Sequence, residues 1–261
     1  MPSDPNATWR VRAAFLSLFV VFGVGAYFLA DLRKLQDDMA ARARQTALQA
    51  ATDPKQIDAA LRQHPQNRLL QTIAVATRAA DDTDAAIDKL SNEIVPSGVS
   101  RQINLGTASR DDLEALRRDL KTADANATAA LPQYTALLKA ERDDVEKFAR
   151  SHGEKDAAGR LLQSIDRRHA EITSLLSRML PARAEFYRAY DNYVAVLVRE
   201  FGTYKVDNGQ FVFPFQLAVN RYNAAAQAMN AAAARVAELE QERKNLLASQ
   251  QERWTQLVSG K

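Results

Sequence analysis

Residues 161–202 read LLQSIDRRHAEITSLLSRMLPARAEFYRAYDNYVAVLVREFG. Leu161, Leu162, Ile165, Ile172, Leu175, Leu176 and Met179 recur at helical spacing, which puts them on one side of an α-helix. Phe186, Tyr190, Tyr193, Val194 and Leu197 carry that apolar face on to Gly202. Pro181 interrupts the run and predicts a bend or a restart, because proline cannot donate to the helical ladder. A stretch this long with one apolar side needs other helices to cover it. It points to a mainly α fold built as an elongated antiparallel helical bundle.

Immediately downstream the helical rule breaks. Residues 203–213, TYKVDNGQFVF, place Asn208-Gly209 between β-prone residues, a strong local signal for one small β-hairpin. Pro214 closes that segment and is suited to opening a helix. In the last helix Val219, Tyr222, Ala226, Met229, Ala233 and Val236 keep a regular seam. The seam then shifts to Leu239 and Leu246, while Glu240 and Arg243 fall where the first seam would run. Such a shift suits antiparallel packing better than a coiled-coil zipper. The polar outer end from Glu238 to Arg253 is expected to pack against residues 31–51 or to dock a partner.

Upstream, Pro132 is expected to open a helix that passes through Leu137, Leu138, Val145 and Phe148 to a cap at Gly153. Ser109 and Asp112 form a capping-box pair, with Asp in place of Glu, at the start of a helix carrying Leu113, Leu116 and Leu120. Residues 96–109 hold Pro96, Gly98 and Gly106 and read as a linker. Before it, residues 31–95 form a membrane-proximal helical region. Asp53-Pro54 starts one helix there and His64-Pro65 ends it. Two further short helices are expected around Leu69 to Val75 and Ile87 to Ile94, with Asp81, Asp82 and Asp84 at a helix start.

Residues 13–30, AAFLSLFVVFGVGAYFLA, carry no charge and no proline. As a helix they would extend about 27 Å, roughly the hydrocarbon thickness of a bilayer. Arg10 and Arg12 precede them, and Trp9 and Tyr27 occupy interfacial positions. The segment reads as a transmembrane signal-anchor behind a short cytoplasmic tail, residues 1–12. Val24-Gly25-Ala26 offers the alternative of cleavage as a signal peptide. Residues 110–261 then form the helical bundle with its hairpin insertion. The bilayer is the first expected partner, met through residues 13–30.

The composition narrows the chemistry. Lysine and arginine total 35 against 32 acidic residues, and the signs are interleaved, so the basic face a nucleic-acid binder needs is not formed. With no cysteine, thiolate catalysis, disulfides and cysteine-ligated metals are excluded. No G-x-S-x-G, phosphate loop or H-E-x-x-H occurs. Asp166 and His169 lie on one helix face, but no second copy completes a carboxylate–histidine metal set. Together with Arg167 and Arg168 they read as an exposed polar face. No catalytic residue, cofactor or metal is expected, and the chain reads as a non-enzyme.

Aromatic residues crowd between positions 186 and 222: Phe186, Tyr187, Tyr190, Tyr193, Phe201, Tyr204, Phe211, Phe213, Phe215 and Tyr222. They read as a small core between the hairpin and its flanking helices. They also form a candidate partner or ligand surface: Tyr190, Tyr193, Tyr204, Phe211, Phe213 and Tyr222, with Arg221 and Asn223 as polar handles. Leu247 and Trp254 join this candidate surface as large apolar groups on the polar end of the last helix.

Leu180-Pro181-Ala182, Phe186, Gly202, Asn208-Gly209, Phe213-Pro214 and Tyr222-Asn223, in that order, resemble a family of bacterial helical envelope lipoproteins known as a domain of unknown function. The likeness covers about the last third of the chain. The family's lipid-bearing cysteine is missing, and the membrane span would take its place. The resemblance implies an envelope location and a helical fold, and brings no catalytic residues. The expectation is a single-pass protein of the bacterial inner membrane with its C-terminal region in the periplasm. It would be a scaffold or adaptor for an envelope protein partner, or a homo-oligomer. The alternative is a small-ligand or sensory module that uses the aromatic tip and signals through a partner chain.

Overall fold

A computed structural model describes residues 54–96, 99, 103–151 and 155–259. Among them the order of elements is α1 (Pro54–Gln63), α2 (Arg68–Ile94), α3 (Arg110–Ser151), α4 (Lys155–Arg199), β1 (Lys205–Asp207), β2 (Gln210–Val212) and α5 (Gln216–Ser259). The protein is mainly helical with one small antiparallel hairpin. The expected anchor at residues 13–30, the helix at 31–51 and the cap at Gly153 lie outside the described residues. No helix among the described residues is long and apolar enough to cross a membrane.

Several boundaries differ from expectation. The two short helices around Leu69 and Ile87 are one helix, α2, of 27 residues. Asp81, Asp82 and Asp84 therefore sit inside it and start nothing. Burial explains this: Leu70, Ile73, Ala76, Ala80, Ile87 and Ile94 form one covered face, and its packing outweighs the local polarity. Pro132 and Pro181 likewise lie inside α3 and α4. Each proline is exposed, and the carbonyls four residues back belong to the exposed Thr128 and Ser177. On that side water can take the place of the missing N–H.

Side chains cap two of the helix starts, one of them as the sequence implies. The Ser109 amide donates to Asp112 Oδ2 at 3.0 Å, and the Asp112 amide donates to Ser109 Oγ at 3.2 Å. This reciprocal pair starts α3 as its sequence implied. At α2 the cap is Asn67, whose Oδ1 accepts from the Leu70 amide at 3.1 Å. The hairpin pairs Lys205 with Val212 and Asp207 with Gln210. Its two turn residues, Asn208 and Gly209, have φ of 48° and 77°. Two positive φ values define the turn whose twist matches the flanking strands.

The chain packs as two compact units. The first takes Leu90–Pro132 and Leu175–Gln241. The second takes the described residues up to Lys89, together with Gln133–Ser174 and the chain from Glu242. In the first unit Leu113, Leu116 and Leu120 of α3, Leu180, Val194 and Leu197 of α4 and Leu239 of α5 are buried. Arg117 holds Asp191 at 2.7 Å and Arg188 lies 3.7 Å from Asp124, so α3 and α4 run antiparallel there. Arg183 pairs with Glu240, and Tyr193 meets Tyr222, so α4 and α5 do the same. In the second unit Ala76 and Ala80 of α2, Val145 of α3 and Ile165 of α4 form one buried cluster, with Ala79 and Leu162 packed against it. Small alanines on α2 let the helices approach closely, which suits the scarcity of bulk in this face.

Candidate functional site

The end of α4, the hairpin and the start of α5 gather most of the aromatic residues. Tyr204 precedes β1, while Phe211 on β2 and Phe213 just after it share one face of the hairpin. Tyr204 lies 5.2 Å from Phe211 and 5.6 Å from Phe213, ring centre to ring centre. Tyr222 of α5 completes the group, 5.1 Å from Phe213 and 5.7 Å from Phe211. It also stands 5.3 Å from Tyr193 of α4. The Tyr193 and Tyr222 hydroxyls share a hydrogen bond of 2.9 Å. From Tyr193 the contacts continue to Tyr190 and Phe186 along α4.

These rings fill the space between the elements with one another. Phe213 and Tyr193 are buried, and Tyr190, Tyr204, Phe211 and Tyr222 are half-buried. Burial pushes the Tyr190 phenol up to about 12. It also raises Tyr193, with the hydrogen bond to Tyr222 adding to the shift. Neither phenol is therefore available as a base near neutrality. Arg221 and Asn223, expected as polar handles, are exposed on either side of Tyr222. Neighbours on a helix diverge by about 100°, so sharing a sequence position with Tyr222 does not bring them onto the rings. Leu247 and Trp254 lie on α5, with side chains outside the described residues.

Around this packed interior lies an apolar exterior: Phe201 and Phe215, which the sequence assigns to the small core, are exposed, because they flank the hairpin instead of pointing between it and the helices. The large apolar side chains most exposed among the described residues are Phe201, Val206, Val212, Phe215 and Leu217. All five belong to the hairpin or its immediate flanks. Phe215 and Leu217 are 64% and 60% exposed, more than half open in each case. The signal lay in Pro214-Phe215-Gln216-Leu217: two large apolar residues beside a helix start, where only one side can face inward. The loop at 103–107 also reaches this region. A Cβ placed on Gly106 would stand 3.3 Å from Val206 Cγ1, so the absence of a side chain permits the approach.

The second unit holds a different polar group. Glu141 of α3, buried, accepts from Arg168 of α4 and stands 3.2 Å from His169 Nε2. Arg168 is buried and the His169 side chain is 11% exposed. The expectation of an exposed face at Arg168 and His169 is thus corrected: only Asp166 and Arg167 are exposed there, and Asp166 pairs with Arg142 at 2.7 Å. Glu141 went unnoticed, although it occupies the stripe between Leu138 and Val145. No group of metal-ligating side chains suited to an ion occurs among the described residues. Comparisons with known protein families, characterised proteins and solved structures give no match for this chain.

Proposed function

We propose that the chain is a helical scaffold or adaptor of the bacterial envelope, held in the inner membrane by residues 13–30 with its helical region in the periplasm. It would present the hairpin tip to an envelope protein. One observation supports the reading above others. The exposed large apolar groups Phe201, Val206, Val212, Phe215 and Leu217 collect on one small motif, seated on rings that already pack against each other. An apolar, solvent-facing motif backed by packed rings is what a protein partner can cover. The likeness of the last third to helical envelope lipoproteins agrees with this location. The alternative, a ligand module at the same tip, has less support, because the rings occupy the space a ligand would need.

The test is a pair of measurements on the full chain. Phe215→Ser with Leu217→Ser should leave thermal melting within a few degrees of wild type, since both side chains are open to solvent. The same double variant should lose the cross-linked species recovered from membranes of the wild type. Unchanged cross-linking would move the contact surface away from the tip. Alkaline phosphatase fused after Lys261 should be active; an inactive fusion would overturn the orientation.

A further inference from the structure

The proposed function makes no use of the charged cluster in the second unit. Glu141 engages Arg168 through one carboxylate oxygen and lies beside His169 through the other. Asp84 follows Ala80 of α2 by one turn, and Ala80 packs with Val145 and Ile165, each one turn from Glu141 and Arg168; Asp84 is thus near enough to be attracted by Arg168 and repelled by Glu141. Its Oδ2 is sealed from solvent and accepts no hydrogen bond from the protein. Thr77 Oγ1, two turns earlier, and Asp88 Oδ1, one turn later, are in the same condition. A buried acceptor without a donor is costly, and a buried charge more so. Arg168 is already engaged by Glu141, so it compensates Asp84 only at a distance.

We propose that Asp84 is a proton-operated latch on α2, seated against Glu141 and Arg168 when neutral and loosening the contact of α2 with Val145 and Ile165 when ionised. The groups that face it are Asp81 and Asp88 on its own helix, Glu141 from α3 and Arg168 from α4. His169 acts through Glu141, and Arg243 of α5 acts on Asp88. Burial is the largest influence and raises the Asp84 carboxyl; Arg168 opposes it, and Glu141, Asp81 and Asp88 add to it. The result is a carboxyl pushed up to about 8 from an ordinary 3.8. Between those values the folded chain holds a proton that the unfolded chain has lost. Stability from this site is therefore complete below the lower value, falls as pH climbs through the window, and is gone above the upper one. Mild alkalinity opens the latch.

The experiment uses the full chain labelled with carbon-13 at aspartate carboxyls, and the variant Asp84→Asn, which mimics the neutral form in shape. One aspartate resonance should titrate near pH 8 in the wild type and vanish in the variant. The wild-type melting temperature should drop between pH 6 and pH 9, and that of Asp84→Asn should drop much less. Both results are required. If every aspartate carboxyl has finished titrating by pH 6, the latch does not exist. If wild type and variant lose stability in parallel, a titrating Asp84 controls nothing. Should Asp84→Asn not fold, Asp84→Ala takes its place, and the same two results are required.

Discussion

At the scale of single residues, Phe213 carries the tip. It is 8% exposed and touches Tyr204, Phe211 and Tyr222. Phe213→Ala should cost about 3–5 kcal/mol, the range for emptying a packed aromatic site. Urea unfolding followed by circular dichroism measures it, and a loss near zero would mean that the rings close over the gap. The density of rings around Asn208-Gly209 makes this residue legible as core from the sequence. The charged core residues were harder to see. Glu141 lies between Leu138 and Val145, and Arg168 between Ile165 and Ile172, on stripes that are otherwise apolar. A charged residue on such a stripe can end a seam or lie buried with a partner. The partner comes from another helix, and no rule of spacing within one helix can name it. Glu240 and Arg243 show the same limit: their place on the seam was visible, whereas the pairing of Glu240 with Arg183 was not.

At the scale of elements, helix and hairpin existence followed from periodicity and turn chemistry, and boundaries did not. Proline at positions 132 and 181 signals punctuation, yet each lies on the wet side of a helix whose opposite side is held by burial. The aspartates of α2 signal a start, yet the helix runs through them for the same reason: local preference is a small term beside a continuous apolar face. The hairpin was readable because its signal is stereochemical. Gly209, with φ of 77°, adopts a conformation that a β-branched side chain strains to reach, and nothing nearby blocks a side chain there. Gly209→Val should therefore destabilise the tip by about 1–3 kcal/mol through backbone strain alone. Amide exchange of residues 204–213 would report it. Faster exchange confined to the hairpin is expected, and unchanged exchange would show that the turn adapts without cost.

At the scale of the whole molecule, the last helix is less of an appendage than its polar composition suggested. Past Glu238 it supplies Leu239 and Glu240 to the first unit and Arg243 to the second, with Leu239 and Arg243 buried. Ending the chain after Glu238 should abolish cooperative melting. Retention of a sharp transition at the original temperature would show the segment to be dispensable. A mainly helical bundle was legible from the spacing of apolar residues. Its division into two compact units was not, because each unit draws on stretches far apart in sequence, and α2, α3, α4 and α5 contribute residues to both. That interleaving bears on which changes of length the chain can accept. α3, α4 and α5 run for 42, 45 and 44 residues. Adding or deleting one residue turns everything beyond it by about 100°. A deletion in the middle of α4 would therefore leave the face serving one unit in place and swing the other away from its partners. Among the described residues, gains and losses of sequence during descent should be confined to the turn at 64–67, the stretch at 95–109 and the hairpin, leaving the long helices frozen in length while their exposed residues vary freely.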